Sequence, residues 1–288
     1  MKHGLILVLL SFAGVNLANA LDLESNQLRV NGHTLHYYQA GTKGTPLILL
    51  TGYATTSNFW NSDFVECLAA SHRVYLMDYA GINSSESTNL HKLSIKSMAT
   101  DVNKFSQKLK LKQPALIGWS MGGGVALEAS FMAPKQYRQL YLISPIVPVT
   151  NQQQLVFPFA AHGEFKSESD VLNYVFNNNL YHYESASLMQ LDSKFIVSKN
   201  TKLFPNLDFM PAQGEAIYQW TNSPDTLNKF RNAKTPAVFF IPQDDVIIDQ
   251  KVAESMMQYY PLAKIEPIKD SGHAIAWQYP LEMCHKID

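Results

Sequence analysis

Short apolar runs alternate with helical patterns along most of this 288-residue chain, and this alternation constrains its fold more than any other feature. Apolar runs of strand length cover residues 46–50, 73–77, 115–117, 140–143 and 237–241, and residues 264–268 indicate a last strand. Continuous apolar runs are typical of strands that are buried on both faces of a parallel sheet. Between several of them, as in residues 94–109, apolar residues recur at helical spacing. The sequence therefore predicts an α/β fold with a mostly parallel central sheet and helices on both faces.

A β-hairpin is predicted ahead of the parallel strands. Asn31 and Gly32 lie between two strand-like segments, residues 28–30 and 34–39. An Asn-Gly pair supplies the positive φ angles that a two-residue hairpin turn needs. The chain is therefore expected to enter the sheet through an antiparallel pair.

The alternation of strands and helices breaks between residues 146 and 231. This stretch contains no clear buried strand, is rich in Asn, Ser and aromatic residues, and has helical patterns near residues 169–177 and 214–220. We interpret residues 146–231 as a mostly helical insertion, a cap. Residues 21–145 and 232–288 then form the core domain.

The first twenty residues read differently from the rest. Lys2 and His3 precede an apolar run over residues 5–15, and Ala18-Asn19-Ala20 follows. A charged start, a short apolar stretch and an A-x-A ending are typical of a secretory signal peptide. The run is shorter than the about 20 apolar residues that span a bilayer. We expect cleavage after Ala20 and a secreted or periplasmic protein without a stable membrane span; an uncleaved anchor is the alternative.

The overall composition is that of an ordinary globular protein. Hydrophobic residues make up 46% and charged residues 16%, with a formal net charge of -1. Nucleic-acid binding would require a basic patch, which the sequence lacks, so no nucleic-acid partner is expected. No cluster of residues has metal-ligand spacing, so neither a metal nor an organic cofactor is expected. Composition does not indicate an oligomeric state.

A G-x-S-x-G motif follows the apolar run at residues 115–117 and precedes a helical pattern. It consists of Gly118, Trp119, Ser120, Met121 and Gly122. A nucleophile on a sharp strand-to-helix turn needs small neighbours, because side chains at the two glycine positions would crowd the backbone. The motif predicts that Ser120 is a nucleophile, and the alternative is a Gly-rich turn that merely packs a helix closely.

A serine nucleophile needs a base, and His273 has the appropriate setting. It lies in Ser271-Gly272-His273, directly after the predicted last strand, in a loop from which an imidazole could reach Ser120. The remaining histidines lack this setting: His3, His33, His36, His72, His91, His162, His182 and His285.

The base in turn needs an acid that orients it, and Asp245 is the main candidate. It follows the apolar run ending at Ile241 and precedes the apolar residues 246–248, which would anchor its carboxylate. Its neighbour Asp244 is the competing candidate. The preceding strand ends in Ser144-Pro145 and offers no carboxylate nearby.

With these residues the chain resembles the α/β-hydrolase superfamily, whose triad runs nucleophile, acid, His in the order of Ser120, Asp245 and His273. The resemblance covers roughly residues 27–288, and the insertion matches the family's cap in position only. Three further segments resemble family landmarks: Leu50-Thr51-Gly52-Tyr53, the turn over residues 78–85 and the ending that runs from Gly272-His273 to Pro280. The chain departs from the family pattern at Thr51, Asn83, Pro242 and Gln278, none of which is a triad position.

The resemblance implies acyl transfer to water through an acyl-enzyme on Ser120, with a small-molecule acyl substrate. It also implies an oxyanion hole formed by the backbone N–H groups of Met121 and Tyr53, although Thr51 changes the support of that loop. The same triad supports thioester hydrolysis, C–C bond hydrolysis and acyl transfer to an alcohol. A dehalogenase or epoxide hydrolase is disfavoured, because that chemistry places Asp where Ser120 stands. A non-catalytic binding protein is the non-enzyme alternative.

The predicted cap is rich in aromatic residues, which would suit an apolar acyl pocket if some of them face the triad. The alternative is that most of them form the cap's own core. They are Phe157, Phe159, Phe165, Tyr174, Phe176, Tyr181, Tyr183, Phe195, Phe204, Phe209, Tyr218 and Trp220.

The chain has two cysteines, Cys67 and Cys284. In the fold that the chain resembles, the first and last helices cover the same face of the sheet, so the two residues could be neighbours. An exported protein could then carry a Cys67–Cys284 disulfide. The alternative is two buried free thiols that pack as small hydrophobic groups.

Overall fold

The structure is a computed structural model that describes residue 21 and residues 23–86, 89–149, 209–245 and 247–287. Its centre is one eight-stranded sheet in the order β1-β2-β4-β3-β5-β6-β7-β8. The strands are β1 (Glu24–Val30), β2 (His33–Ala40), β3 (Pro46–Leu50), β4 (Arg73–Met77), β5 (Ala115–Trp119), β6 (Gln139–Ile143), β7 (Ala237–Pro242) and β8 (Ala263–Ile268). Strands β3 to β8 pair in parallel, which confirms the predicted sheet.

The first two strands form the predicted antiparallel hairpin. β1 pairs with β2 from Glu24↔Gln39 to Val30↔His33, and β2 then pairs antiparallel with β4. Asn31 and Gly32 have φ angles of 43° and 94°, as a two-residue hairpin turn requires.

Helices flank the sheet and connect its strands. They are α1 (Ser62–Ala69), α2 (Ile95–Lys108), α3 (Met121–Met132), α4 (Phe209–Thr221), α5 (Pro224–Arg231), α6 (Gln250–Met257), α7 (Ile275–Gln278) and α8 (Pro280–His285). Helix α2 begins where the sequence predicts it. Ser94 caps its N-terminus, and a reciprocal pair of hydrogen bonds with Ser97 forms a capping box.

The central strands form the core. Every residue of β3 and β5 is buried, which agrees with their unbroken apolar sequences. Burial of each large aliphatic side chain stabilises the fold by about 1.5–3 kcal/mol. The sheet is therefore a rigid platform, and its strand ends hold the loops that follow them in fixed positions.

Helices α4 and α5 are the described part of the predicted cap, residues 146–231. Phe209, at the start of α4, packs against Gly81, and Trp220, near its end, packs against Gly124. Trp220 Nε1 also donates to Glu128 Oε2 at 3.1 Å, and Lys229 Nζ on α5 donates to Glu128 Oε1 at 3.0 Å. These contacts hold α4 and α5 against α3.

The rest of the predicted cap lies outside the described residues. This applies to the helical pattern near residues 169–177 and to nine of the twelve aromatic residues: Phe157, Phe159, Phe165, Tyr174, Phe176, Tyr181, Tyr183, Phe195 and Phe204. The other three lie on α4. Phe209 and Trp220 are buried, and Tyr218 is 60% exposed. Phe209 and Trp220 thus form part of the seat of the cap on the core.

A disulfide joins Cys67 on α1 to Cys284 on α8, with 6.2 Å between the Cα atoms. The two helices pack against each other, as the resemblance implied. The bond spans 217 positions of sequence. Among the helices that the structure describes, none is long and apolar enough to cross a membrane.

Candidate active site

Ser120 lies at the turn between β5 and α3 in a conformation that few non-glycine residues adopt. Its φ and ψ angles are 55° and -118°. Two backbone hydrogen bonds hold this turn: Ser120 N donates to Ile143 O at 3.0 Å, and Ile146 N donates to Ser120 O at 3.1 Å. Such backbone strain costs about 1–3 kcal/mol and persists only where the surroundings enforce it. The last residue of β6 and the segment after it therefore hold Ser120 at the carboxyl end of the sheet.

The two glycines of the motif are required by close backbone approaches. A Cβ at Gly118 would lie 2.4 Å from Gly122 O, and a Cβ at Gly122 would lie 2.2 Å from Leu50 O. Neither backbone oxygen could move without disrupting the sheet or the turn. The predicted role of Gly118 and Gly122 as small neighbours of the turn agrees with this geometry.

His273 and Asp245 meet at the same end of the sheet. His273 follows β8 and Asp245 follows β7, and His273 Nδ1 lies 2.8 Å from Asp245 Oδ2. The other carboxylate oxygen, Oδ1, accepts hydrogen bonds from Ile247 N at 2.8 Å and Ile248 N at 3.0 Å. Both side chains are almost fully buried, with 3% and 2% of their surfaces exposed. The imidazole orientation is therefore fixed by a carboxylate that is itself fixed by backbone donors.

Backbone hydrogen bonds join the two loops that carry this pair. Gln243 N donates to Ile268 O, and Asp244 N donates to Ser271 O, each at 2.9 Å. Asp244 is exposed, unlike Asp245. The structure thus separates the two candidate acids, because it places Asp245 against His273.

Gln278, where the family pattern has Glu, braces the histidine loop. Its Oε1 accepts a hydrogen bond from Gly272 N at 2.7 Å. An amide oxygen can accept a hydrogen bond as a carboxylate oxygen does, so Gln at this position can hold the backbone of Gly272. Asn83 is a second mild departure, because its φ of 52° is one that Gly or Asn adopts readily.

Trp119 forms a direct link between the nucleophile turn and the histidine loop. Its Nε1 donates to His273 O at 2.8 Å, and its ring stacks on Phe59 at 4.8 Å between centroids. Trp277 Nε1 in turn donates to Phe59 O at 2.7 Å. The residue before Ser120 therefore positions the backbone of His273, which sequence reasoning did not foresee.

The loop after β3 approaches Ser120 closely. A Cβ at Gly52 would lie 3.3 Å from Ser120 Cβ, so the loop that carries Tyr53 borders the hydroxyl. Burial raises the pKa of the Tyr53 phenol, which therefore stays neutral. Met121, the other predicted oxyanion residue, is fully buried at the first position of α3. Of the two predicted oxyanion residues, Met121 thus follows Ser120 in the chain, and Tyr53 lies on the neighbouring loop after β3.

A second buried His–Asp pair lies near the antiparallel side of the sheet. His36 Nδ1 lies 2.8 Å from Asp78 Oδ2, and Asp78 also accepts hydrogen bonds from Ser57 N, Ser57 Oγ and Asn83 Nδ2. These donors join the turn over residues 78–85 to the segment after β3. Sequence reasoning missed this network because it treated His36 as an ordinary hairpin residue.

Within the part of the chain that the structure describes, no group of three His, Cys, Asp or Glu residues could hold a metal ion. Ser120, His273 and Asp245 lie at or just after the carboxyl ends of β5, β8 and β7. The chain belongs to the alpha/beta hydrolase fold family, whose family model matches residues 45–280.

Several known proteins are similar to the chain over most of its length. A pimeloyl-[acyl-carrier protein] methyl ester esterase of Nitrosomonas europaea is 22% identical over 258 residues, which cover 88% of this chain and 98% of that protein. An alpha/beta hydrolase fold protein of Chitinophaga pinensis superposes with a TM-score of 0.80 at 17% identity, with 93% and 96% of the two chains covered. A thermophilic esterase of Thermogutta terrifontis superposes with a TM-score of 0.70 at 18% identity, with 92% and 96% covered. These likenesses establish the shared fold.

Proposed function

We propose that the chain is an exported serine hydrolase that cleaves a carboxylic ester through an acyl-enzyme on Ser120. The observation that carries this proposal is the buried His273–Asp245 pair at the same sheet edge as Ser120, whose backbone is held in a strained turn. Family membership and relatives named as esterases support hydrolysis as the class of reaction.

The first half of the reaction acylates the enzyme. Ser120 Oγ attacks the ester carbonyl carbon while His273 Nε2 takes the hydroxyl proton. Asp245 holds the proton of His273 on Nδ1, so that Nε2 is free to act as the base, and it stabilises the imidazolium that forms. The carbonyl oxygen becomes an oxyanion, which the backbone N–H groups of Met121 and Tyr53 stabilise. The imidazolium then donates its proton to the leaving alkoxide, and the ester C–O bond breaks.

The second half releases the acid. A water molecule attacks the acyl-enzyme carbonyl and gives a proton to His273 Nε2. The intermediate collapses, the Ser120 Oγ–acyl bond breaks and the proton passes to Oγ, which restores the free enzyme. Apart from the ester and the attacking water, each step uses the three side chains and the two backbone donors.

Removal of the Ser120 hydroxyl tests the proposal directly. Ser120→Ala should abolish hydrolysis of p-nitrophenyl esters with little change in stability, because it deletes a single oxygen. His273→Ala should lose nearly as much turnover, since triad members act as a unit. The measurement is kcat/KM over a panel of acyl lengths, with thermal melting as the control. If Ser120→Ala keeps more than about 5% of the wild-type rate, the assignment of the nucleophile is wrong.

A fluorophosphonate probe separates an enzyme from a non-catalytic binding protein of the same fold. An activated serine reacts covalently, so labelling should occur in the wild type and disappear in Ser120→Ala. No labelling together with no esterase activity would identify a binding protein. Thioesterase, C–C hydrolase and acyltransferase activities use the same triad, and screens with the corresponding substrates distinguish them from ester hydrolysis.

Export is supported by two features of the chain. The signal-like residues 1–20 end in A-x-A, and the Cys67–Cys284 disulfide is of a kind that persists in oxidising compartments. Mass spectrometry of the protein purified from its native cells should show an N-terminus at Leu21. An intact Met1 in a cytosolic fraction would contradict the proposal.

A further inference from the structure

Gln213 is a polar residue on the apolar, buried face of α4. Its neighbours on that face include Phe209, Ile217 and Trp220, and Gln213 itself is fully buried. Buried amides are rare unless both their donor and acceptor atoms are used. The position therefore indicates a role other than packing.

Among the residues that the structure describes, only one end of the Gln213 carboxamide has a partner. Oε1 accepts a hydrogen bond from Ala54 N at 2.8 Å. This bond also fixes which end is oxygen, since a backbone N–H must face an acceptor. Nε2 is buried and has no hydrogen-bond partner within the described ranges of the chain. A donor without a partner in a buried position is costly, so its retention calls for a ligand that satisfies it.

The orphaned donor lies beside the loop that borders the nucleophile. Ala54 follows Tyr53, and Gly52 in the same loop approaches Ser120 Cβ. Two other buried hydroxyls have no partner in the part of the chain that the structure describes: Thr51 Oγ1, in this loop, and Ser144 Oγ, directly after Ile143, whose carbonyl accepts from Ser120 N. Three buried polar atoms without a partner in the described part of the chain thus lie on or next to segments that contact the Ser120 turn.

We propose that Gln213 Nε2 donates a hydrogen bond to an acceptor oxygen of the substrate and so determines specificity. The favoured substrate class is an ester with a second acceptor oxygen, such as a carbonyl or ether oxygen, close to the scissile carbonyl. This inference rests on the proposed function of Ser120. A site built to hydrogen-bond a substrate group rejects analogues without that group, because its own donor is then left unpaired.

Matched ester pairs measure this preference on each side of the scissile bond. On the acyl side, p-nitrophenyl methyl succinate is compared with p-nitrophenyl hexanoate, whose acyl chain has the same length but lacks the second carbonyl. On the alcohol side, 2-methoxyethyl butyrate is compared with butyl butyrate, which lacks the ether oxygen. The readout is the ratio of kcat/KM within each pair.

Two substitutions separate the donor from the contact with Ala54. Gln213→Glu keeps an acceptor for Ala54 N but puts an oxygen in place of the Nε2 donor; because burial raises the pKa of a carboxyl, its ratios are read at the high end of a pH series up to about pH 10, where the carboxylate is ionised. Gln213→Met removes both polar atoms at similar volume. Gln219→Met is the matched control, because Gln219 is an exposed residue of the same helix.

We expect both Gln213 variants to lose about threefold to tenfold of the preference for the acceptor-bearing ester in at least one pair, the range for one neutral hydrogen bond. The alkyl esters should keep most of their rate, and Gln219→Met should leave both ratios unchanged. Equal losses for both members of both pairs, or no losses, overturn the inference while the proposed function stands. Absence of esterase activity and of fluorophosphonate labelling in the wild type would instead overturn the proposed function.

Discussion

Both carboxylate oxygens of Asp245 are occupied by donors, one by His273 and one by two backbone N–H groups. An amide at this position could keep only part of this arrangement. Its NH2 group would face either the imidazole or the backbone donors, and the tautomer of His273 would no longer be fixed. The orienting role thus belongs to a carboxylate and not merely to a hydrogen-bonding side chain.

Asp245→Asn is therefore expected to lower kcat by about 10²–10⁴-fold, because it permits the wrong imidazole tautomer. Asp244→Asn is the matched control, since Asp244 is the exposed neighbour. Its effect should stay within about twofold, as for an ordinary surface substitution. Steady-state kinetics on one p-nitrophenyl ester provides the comparison. A larger loss of kcat in Asp244→Asn would show that Asp244, and not Asp245, is the acid that orients His273.

The indole of Trp119 positions His273 through the backbone carbonyl of that residue. Trp119→Phe keeps a ring that can stack on Phe59 but removes the donor to His273 O. We expect stability to fall by about 1–3 kcal/mol and kcat to fall by about tenfold, with a smaller change in KM.

Trp277→Phe is the control for this substitution. It removes a buried indole donor from the same aromatic cluster, where the acceptor is Phe59 O and not His273 O. A similar loss of stability with a much smaller loss of kcat is the expected result. Equal losses of kcat in the two variants would show that Trp119 acts through packing and not through its hydrogen bond to His273 O.

At the scale of elements, one carboxylate attaches the described cap helices to the core. Glu128 on α3 has 1% of its side chain exposed, and it receives hydrogen bonds from Trp220 on α4 and Lys229 on α5. Burial lowers the pKa of Lys229, but hydrogen bonds to Asp225 and Glu128 outweigh this effect and raise it overall. Lys229 thus stays charged and neutralises a buried acid.

Lys229→Met should cost about 2 kcal/mol of unfolding free energy, because Glu128 would remain buried without its cation. Lys286→Met is the matched control. Lys286 is 32% exposed against 30% for Lys229, but its partner Glu282 is 54% exposed. An exposed pair of this kind contributes less than about 1 kcal/mol. Urea unfolding of the two variants gives the comparison, and equal costs would show that Glu128 does not depend on Lys229.

The elements themselves could largely be predicted from the sequence, because strand and helix signals are local. β3 and β4 begin and end at the predicted residues, and the hairpin turn lies at Asn31-Gly32. Helix α4 starts at Phe209, five residues before the pattern predicted, with Pro211 inside it. Proline is tolerated in the first turn of a helix, where its missing N–H is not needed, so Pro211 does not interrupt this helix.

The candidate triad could also be proposed from the sequence, because Ser120 and Asp245 follow apolar runs of strand length and His273 follows the predicted last strand. The contacts that support it could not. Trp119 and His273 are 154 positions apart, and Ala54 and Gln213 are 159 positions apart. Local periodicity carries no information on which side chains meet across such separations. Glu128 lies on a mostly apolar helix, and nothing in the local sequence indicates that it forms an ion pair. The fold brings Lys229 to it from 101 positions further along the chain.

At the scale of the whole molecule, the Cys67–Cys284 disulfide restricts the unfolded chain. A bond over 217 positions is expected to contribute about 5 kcal/mol through loop-closure entropy. The double variant Cys67→Ser/Cys284→Ser, and the wild type in reductant, should therefore melt at clearly lower temperatures than the oxidised wild type. Reductant should not shift the double variant further. Two titratable thiols in the denatured, unreduced protein would contradict the prediction.

The same bond also changes how the chain responds to proteolysis. The covalent ring closed by this bond includes strands β4 to β8, the three residues of the candidate triad and the entire predicted cap. A protease that cuts one peptide bond anywhere inside the ring opens it but releases no fragment. The two pieces would migrate as one molecule on a non-reducing gel and separate only after reduction. A nicked enzyme could thus keep Ser120 and His273 on the same covalent molecule even when the cut falls between them.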